Sequence, residues 1–258
     1  MTDQLLILGT GDSMGVPRVY CECEICDEAR TGGSNRRLRS AVRLTSAAGY
    51  LWIDCGPDWA EQMEAAEQRE MEQALLTHAH FDHMAGLPEW ADACRWTGRK
   101  GNLYAPEDVL DTVRERYPWL ERNLDYHAIG DEWVFGEWRI TKHKMCHGKN
   151  GFSYAYRLEK PDFVWAYCPD SINLQQEEKA FLSGLDLLIL GTSYYHEAAD
   201  FHTRSVYDMT EAAELLAEIR PGRTLYTHMS HGVDIRADYP LPAQTAMAEK
   251  GMTIELRR

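Results

Sequence analysis

Short runs of apolar residues, separated by polar or glycine-containing turns, recur along the whole chain and predict buried β-strands. The run at residues 5–8 ends at a Gly-Thr-Gly turn, and the run at 187–190 ends at Gly191. Uninterrupted apolar runs of this length are typical of strands buried on both faces. Further strands are predicted at 41–44, 50–53, 72–76, 102–104, 133–141, 152–158, 163–167, 224–226 and 252–256.

Segments with apolar residues three or four positions apart predict helices between these strands. In the segment 84–96 the apolar residues at this spacing are Met84, Leu87, Ala91 and Cys94. The other predicted helices are 59–70, 106–117, 175–182 and 208–219. Strands and helices alternate in both halves of the chain, and this alternation predicts an α/β protein.

The densest group of metal-binding side chains follows the predicted strand 72–76, in the segment Thr-His-Ala-His-Phe-Asp-His at 77–83. His78 and His80 point to the same side of an extended segment, because side chains alternate there with a period of two. They can therefore share one cation. Asp82 and His83 lie where the chain turns, and they can face a second cation. Neutral imidazole suits zinc, iron or manganese, and a carboxylate broadens that choice.

Three more candidate ligands, His147, Asp170 and His228, each come shortly after a predicted strand. Open α/β sheets commonly bind their ligands at the carboxyl ends of strands. Together with the three histidines and the aspartate of segment 77–83, these residues are enough to hold two metal ions.

A separate group of thiols, Cys21, Cys23 and Cys26, predicts one corner of a second kind of metal site. Three thiolates are one ligand short of a closed zinc sphere, so a histidine or another cysteine from elsewhere is expected to complete it. The chain has seven cysteines. The remaining ones, which are expected to pack in the core, are Cys55, Cys94, Cys146 and Cys168.

Two shorter motifs allow more than one interpretation. The basic run Arg-Arg-Leu-Arg at 36–39 is expected to form a solvated face, with anion binding as the alternative. The glycine-rich turn at 9–17 lacks the lysine and the spacing of a phosphate-binding P-loop, so a tight turn beside a site is expected there.

Composition and net charge exclude some classes of partner. The chain has 258 residues, of which 44% are apolar, and its formal net charge is −14. A chain this acidic repels the phosphate backbone, so polymeric nucleic acid is not an expected partner. No apolar run is long enough to span a bilayer, and no signal peptide is visible. We therefore expect no membrane partner and a cytoplasmic location.

In their order along the chain, the ligands resemble the signature of the metallo-β-lactamase superfamily, His-x-His-x-Asp-His followed by a distant His, Asp and His. A closer resemblance is to the phosphoribosyl 1,2-cyclic phosphate phosphodiesterase branch, associated in bacteria with the carbon–phosphorus lyase pathway. The motifs that carry it are GTG at 9–11, GVP at 15–17, CECEIC at 21–26, NRRLRS at 35–40, WIDCGPD at 52–58, LLTHAHFDH at 75–83 and YTHMSH at 226–231.

The resemblance implies a four-layer αββα sandwich with one active site at the edge between its two sheets. Helices predicted in both halves of the chain supply the two outer layers. The implied organisation is a single domain over residues 1–258, with a cysteine-rich zinc loop at about 18–30.

The resemblance also implies a role for each candidate ligand. One active-site ion would be held by His78, His80 and His147. The other would be held by Asp82, His83 and His228, with Asp170 bridging the two. A structural zinc would be held by Cys21, Cys23, Cys26 and His231. Zinc or manganese is expected in the active site. Asp54 is expected to orient a ligand, with a turn-forming role as the alternative.

In the implied reaction, a hydroxide that bridges the two ions attacks the phosphorus of a small cyclic phosphate ester. Asp82 and His202 are the expected catalytic residues, with His202 as the acid that protonates the leaving alkoxide. The spacing around His202 departs from the family pattern. His196 is therefore an alternative acid, and either histidine could be an ordinary loop residue.

The fold alone does not separate this activity from others on the same scaffold. The alternatives are a nucleotide phosphodiesterase, a thioesterase, a lactonase or a non-catalytic metal-binding protein. A tRNA-processing nuclease is disfavoured by the acidic composition and by the lack of an inserted basic arm. The expected partner is a small phosphate ester, and a homodimer is left open.

Overall fold

The computed structural model describes residues 3–257 of the chain. Its strands are β1 Gln4–Gly9, β2 Ala41–Ser46, β3 Gly49–Ile53, β4 Gln73–Leu75, β5 Gly101–Ala105, β6 Leu124–Ala128, β7 Glu132–Phe135, β8 Trp138–Cys146, β9 Phe152–Lys160, β10 Phe163–Cys168, β11 Leu187–Gly191, β12 Arg223–Thr227, β13 Thr245–Met247 and β14 Thr253–Glu255. Its helices are α1 Glu24–Arg30, α2 Trp59–Ala65, α3 Phe81–Met84, α4 Leu87–Thr97, α5 Glu107–Arg116, α6 Gln176–Phe181 and α7 Met209–Ile219. Short 3₁₀ turns lie at Leu120–Arg122, Gly148–Asn150 and Phe201–Thr203.

Within residues 3–257 the strands form two mixed sheets of seven strands each. The two sheets have the same arrangement of antiparallel and parallel strands. The strand order is β14-β1-β2-β3-β4-β5-β6 in the first sheet and β13-β12-β11-β10-β9-β8-β7 in the second. In each sheet the strands at one end pair antiparallel. The strands at the other end pair parallel, from β3 to β6 and from β10 to β13. The candidate ligands follow β4, β8, β10 and β12.

The apolar run of β11 shows how the layers are built. Leu187 and Ile189 belong to the core that the two sheets share, whereas Leu188 and Leu190 pack in a second core with residues of α7. Successive side chains of a strand point to opposite faces, so an unbroken apolar run serves both cores. The helices α2, α4 and α5 contact strands of the first sheet and contribute buried side chains to the first of these two cores. The predicted four-layer αββα sandwich is confirmed.

Several predicted elements need correction. The segment predicted as one strand at 133–141 is the hairpin β7–β8, which turns at Gly136, a residue with a φ of 59°. The helix predicted at 59–70 ends at Ala65, and the chain then reverses through Glu67 with a φ of 51°. Four elements, β6, β13, α1 and α3, were not predicted, because short, polar edge strands and helices of one or two turns carry little periodicity.

Among residues 3–257, no helix combines the length and the apolar character needed to cross a membrane.

Candidate metal centres

A buried carboxylate at the end of β3 anchors the histidine-rich segment. Asp54 is fully buried. It accepts hydrogen bonds from the backbone N–H and the hydroxyl of Thr77, at 2.8 and 2.9 Å. Its Oδ2 lies 2.7 Å from Nδ1 of His83. An imidazole that donates from Nδ1 presents Nε2 to a metal, so Asp54 fixes the tautomer of His83. This contact agrees with the interpretation of Asp54 as an orienting residue.

The first group of candidate ligands consists of His78, His80 and His147, whose ligand atoms lie within 4.8 Å of one another. Nε2 of His78 is 2.8 Å from Nδ1 of His80. The other nitrogen of two of these rings is engaged elsewhere. Nδ1 of His78 is 3.0 Å from the Thr77 hydroxyl, and Nδ1 of His147 is 2.7 Å from the carbonyl oxygen of Ser205. Because Nδ1 is engaged in both rings, Nε2 is the nitrogen that His78 and His147 would offer to a cation.

The second group consists of Asp82, His83 and His228, which also lie within 4.8 Å of one another. Oδ2 of Asp82 is 3.1 Å from Nε2 of His83 and 3.4 Å from Nε2 of His228. Asp82 and His83 are carried by the short helix α3, and His228 directly follows β12. One carboxylate and two imidazoles are a donor set that suits zinc or manganese.

Asp170 lies between the two groups. Its Oδ1 is 3.6 Å from Nε2 of His147 and 3.3 Å from Nε2 of His228. Its Oδ2 is 3.0 Å from Nε2 of His83. A carboxylate has two oxygens with several lone pairs, so one side chain can contact two cations at once. The family resemblance implies a bridging role for Asp170, and this position allows it.

Orphaned polar atoms support the fit of this cluster to metal ions. Nε2 of His83 and Oδ2 of Asp170 are buried, and neither makes a hydrogen bond with another side chain or backbone group among residues 3–257. Although they are 3.0 Å apart, their mutual geometry is not that of a hydrogen bond. Buried polar atoms without partners are costly. Cations between the two ligand groups would satisfy both atoms.

Without a cation, the positive charges of protonated His83 and His228 balance the negative charges of the buried carboxylates. Burial opposes a charge on His83, but the nearby carboxylates, Asp82 foremost, raise its pKa well above the ordinary value. The same balance, with Asp170 as the main carboxylate, raises the pKa of His228 to about 9. In contrast, burial and the neighbouring His83 hold the pKa of His78 well below its ordinary value. A cation in the centre would therefore displace protons from His83 and His228.

We accordingly expect Mn²⁺ binding to the metal-free protein to release protons and to strengthen as the pH rises towards about 9, the pKa of His228. The protonated imidazoles cannot act as ligands, so lowering the pH favours the metal-free form. Mn²⁺ is the suitable probe because thiolates prefer softer ions. Calorimetric titration in two buffers with different heats of ionisation measures the protons released. Affinity that does not depend on pH between 6 and 9 would contradict this expectation.

A separate cluster joins the N-terminal cysteines to the chain after β12. The Sγ atoms of Cys21, Cys23 and Cys26 lie 3.2, 3.6 and 3.6 Å from Nδ1 of His231. Sulfur and nitrogen ligands of a tetrahedral zinc are about 3.6 Å apart, given bond lengths of about 2.3 and 2.1 Å. The donor set and its spacing therefore fit a closed zinc site. The three thiols alone leave the fourth ligand open between histidine and cysteine, and the family resemblance indicates His231.

A buried arginine holds the segment that carries His228 and His231. Arg37 is only 3% exposed. Its Nη2 donates to the carbonyl oxygens of Ser230 and Val233, at 2.8 Å each. The expectation of a solvated face for the basic run 36–39 is therefore wrong at Arg37. The pattern of the run gave no sign of this role, because the contacts span more than 190 positions of the chain.

The glycine-rich turn after β1 also supports this segment. The N–H of Met229 donates to the carbonyl oxygen of Thr10, and the N–H of Asp12 donates to the carbonyl oxygen of Met229. A Cβ atom at Gly9 would lie 2.0 Å from the carbonyl oxygen of Arg39, so only glycine fits there. The tight turn beside a site is thus where the sequence analysis expected it.

Neither candidate for the general acid belongs to the metal-ligand groups found among residues 3–257. His202 is exposed, on the 3₁₀ turn Phe201–Thr203. The residues just after that turn contact the His147 loop, since the carbonyl oxygen of Arg204 accepts from the N–H of Lys149. His196 is also exposed, and its Nδ1 lies 3.4 Å from the buried carboxylate of Asp208. His196 thus has a carboxylate partner in Asp208. The turn that carries His202 lies next to residues 148–150, which directly follow His147.

Comparison with solved structures shows that this fold has known relatives. The chain is similar to a diphosphatase of the PhnP family, with 24% identity, a TM-score of 0.86, and coverage of 99% of this chain and 98% of that one. It is also similar to Zn²⁺-bound PqqB from Methylobacterium extorquens, with 19% identity, a TM-score of 0.81, and coverage of 98% and 100%. At these identities the likeness is one of fold.

Among curated proteins, an octanoyltransferase of Porphyromonas gingivalis is 25% identical over 91% of this chain and 47% of its own length. A ribonuclease Z of Bacillus licheniformis is 27% identical over 62% of this chain and 50% of its own length. The chain spans about half the length of the curated relatives it matches, or less.

A family model described as "Beta-lactamase superfamily domain" matches residues 50–229. The matched region is more than half of the chain. It contains Asp170 and every candidate ligand of the first and second groups. This protein therefore belongs to the metallo-β-lactamase superfamily, as the order of its ligands predicts.

Proposed function

We propose that the protein is a metal-dependent phosphodiesterase that hydrolyses a small cyclic phosphate ester resembling phosphoribosyl 1,2-cyclic phosphate. The observation that carries this proposal is the position of Asp170, whose carboxylate lies within 3.6 Å of ligand atoms from both groups. When bound, two divalent ions would act as Lewis acids on the phosphoryl oxygens and lower the pKa of water in the site. Phosphoryl transfer depends chiefly on such electrostatic stabilisation.

The chain's own residues hold and orient these groups. Asp170 supplies the negative charge that would keep two cations close together, and Asp54 keeps Nε2 of His83 directed at the centre through its bond to Nδ1. In the reaction, water adds to phosphorus, one P–O bond of the ring breaks, and the leaving alkoxide takes up a proton. The product is an acyclic phosphate monoester.

The surroundings of the centre favour a small substrate. A cavity of about 200 Å³ lies beside His78 and His80. This volume is below the roughly 300–1,000 Å³ of pockets for drug-sized ligands. The formal net charge of −14 also disfavours a polyanionic polymer. These two features support a small phosphate ester over tRNA.

A substrate panel tests the proposed function. The purified protein would be assayed with Mn²⁺ or Zn²⁺ on a ribose cyclic phosphate, bis(p-nitrophenyl) phosphate, a thioester, a lactone and a precursor tRNA. We expect hydrolysis of the two phosphodiesters and loss of activity after chelation. Preference for the thioester, the lactone or the tRNA would move the chain to another hydrolase class. Bound metal without hydrolysis of any substrate would indicate a non-catalytic protein.

The general acid can be identified by varying the leaving group. His202→Ala should leave metal content intact and slow the cyclic ribose phosphate most, because its alkoxide needs a proton. Bis(p-nitrophenyl) phosphate, with its activated leaving group, should be hydrolysed almost normally. His196→Ala is the matched comparison. Equal loss on both substrates would rule out His202 as the acid, and a selective loss in His196→Ala would assign the role to His196.

A further inference from the structure

Residues 204–207 form a strap that leads into α7 and contacts two parts of the candidate centre. The carbonyl oxygen of Ser205 lies 2.7 Å from Nδ1 of His147. The N–H of Tyr207 donates, at 3.0 Å, to the carbonyl oxygen of the residue that follows Asp170. The position of the strap therefore bears on how the ligands of the centre are oriented.

The strap also packs closely on the loop that follows His147. The carbonyl oxygen of Arg204 accepts from the N–H of Lys149, at 3.3 Å. A Cβ atom at Gly148 would lie 2.3 Å from the same carbonyl oxygen, and Gly148 has a φ of 53°. Glycine allows both this close approach and this conformation. Displacement of the strap would disturb both the backbone next to His147 and the hydrogen bond at its Nδ1.

The buried side chain of Arg204 fixes the strap, which lies between a 3₁₀ turn and the first residue of α7. Its Nη1 and Nη2 donate to the two carboxylate oxygens of Glu211, at 2.8 and 2.6 Å. Its Nε donates to Glu197 at 3.1 Å, and its Nη2 lies 3.5 Å from Asp208. A bidentate arginine–carboxylate pair fixes geometry as well as adding energy. Arg204 thus ties the strap to the start of α7.

The carboxylates around Arg204 are placed by other contacts as well. Asp208 and Glu211 form the capping box of α7, in which each side chain accepts from the backbone N–H of the other residue, at 2.8 and 3.2 Å. Asp208 also accepts from the N–H of Glu197, at 2.9 Å. A buried ion cluster adds little net stability over apolar contacts of the same volume. What Arg204 contributes is the direction of the strap relative to the helix.

We propose that Arg204 is a positioning residue of the metal centre, which holds the strap so that the carbonyl oxygen of Ser205 orients the imidazole of His147. The inference rests on the proposed function, because it takes the two ligand groups to hold catalytic cations. Metal-binding histidines are commonly oriented by a carbonyl or carboxylate at their second nitrogen. The side chain of Arg204 pairs with acids outside the centre, so it acts through the backbone of the strap.

The effect of Arg204 should be confined to one of the two ions. In the first ligand group, His147 receives its Nδ1 contact from the strap. In the second group, Asp54 orients His83 through a contact of 2.7 Å that does not involve the strap. The far end of the strap is anchored separately, since the hydroxyl of Tyr207 accepts from the N–H of Leu174 at 2.8 Å. Loss of Arg204 should weaken the ion of the first group and spare the other.

Calorimetric titration of Mn²⁺ into the metal-free proteins measures this selectivity. Arg204→Met removes the ion pairs, and Arg204→Lys keeps the charge without the bidentate geometry. Arg157→Met is the matched control, because Arg157 is a partly buried arginine that pairs with Glu159 and donates to two backbone carbonyls outside the strap. Arg204→Met should weaken one of two Mn²⁺ sites at least about tenfold. Arg204→Lys should lie between it and wild type, and Arg157→Met should bind both ions normally.

Electron paramagnetic resonance separates orientation of a ligand from general loss of stability. Two neighbouring Mn²⁺ ions couple magnetically, whereas a single ion does not. At a Mn²⁺ concentration that fills both sites of wild type, Arg204→Met should give the signal of single ions. A higher concentration should restore the coupled signal, because the variant keeps every ligand. Arg157→Met should give the coupled signal at the lower concentration, whatever its melting temperature.

A second variant keeps the test decisive, because Arg204→Met leaves buried carboxylates without their cation and can prevent folding. The double variant Arg204→Met, Glu211→Gln removes one of these charges, and glutamine can still complete a capping box. Unchanged affinity for both ions, or equal weakening of both, would overturn the proposal. If metal-loaded wild type hydrolysed no phosphodiester, the proposed function would fail, and the Mn²⁺ affinities would decide the role of Arg204 alone.

Discussion

Asp170→Asn should lower the proposed phosphodiesterase activity at least about a hundredfold, as when a metal-positioning or electrostatic element is removed from an active site. The amide keeps the shape of the carboxylate but loses the negative charge. In the wild-type centre only Asp82 and Asp170 supply charge directly, and the other ligands of the two groups are imidazoles. Two divalent cations held by one carboxylate would repel each other with little compensation.

The same substitution should reduce the metal content of the centre, since Asp170 lies within 3.6 Å of ligand atoms from both groups. Metal analysis and steady-state kinetics of the purified variant would measure both effects. Asp131→Asn is the matched control, because Asp131 is fully exposed and, among residues 3–257, pairs only with Lys142. An Asp170→Asn variant with near-normal activity and metal content would show that Asp170 does not bridge the ions.

Cys23→Ser should remove about one zinc per chain and lower the melting temperature by on the order of 10 °C. A serine hydroxyl does not ionise at neutral pH, so the sphere would be left with two thiolates and one imidazole. The cluster ties the start of the chain to the segment after β12, across more than 200 positions. Losing this crosslink frees a long loop in the folded state and weakens the support of His231.

The two ions proposed for the active site should remain in this variant, because Arg37 and Thr10 also hold the segment after β12. Metal analysis and thermal unfolding would be compared with Cys94→Ser, which replaces a buried cysteine of α4 outside both clusters. That control should keep all ions. Full zinc content in Cys23→Ser would contradict the assignment of the three cysteines and His231 to a structural site.

The sequence predicted best the features that depend on local spacing. The alternation of Leu187–Leu190 between two cores follows from the period of a strand, and the shared side of His78 and His80 follows from the same rule. The seven candidate ligands could be recognised because the chain presents them in the order of a known family.

Some features that depend on contacts distant in the sequence were missed. Thr77 bonds to Asp54, and Arg37 holds the carbonyl oxygens of Ser230 and Val233. Neither threonine nor arginine carries a pattern that reveals such a partner. The general acid was uncertain for a related reason. Its position depends on the conformation of the segment between β11 and α7, where turns and 3₁₀ structure follow no simple period.

Anomalous diffraction from metal-loaded crystals, recorded at the absorption edges of zinc and manganese, tests the two-ion centre most directly. The proposal predicts two ions roughly 3.5–4 Å apart, both in contact with Asp170. One ion would lie among His78, His80 and His147, and the other among Asp82, His83 and His228. A third signal, from zinc, would lie among Cys21, Cys23, Cys26 and His231. A single ion in the active site, or two ions that do not share Asp170, would contradict the proposal.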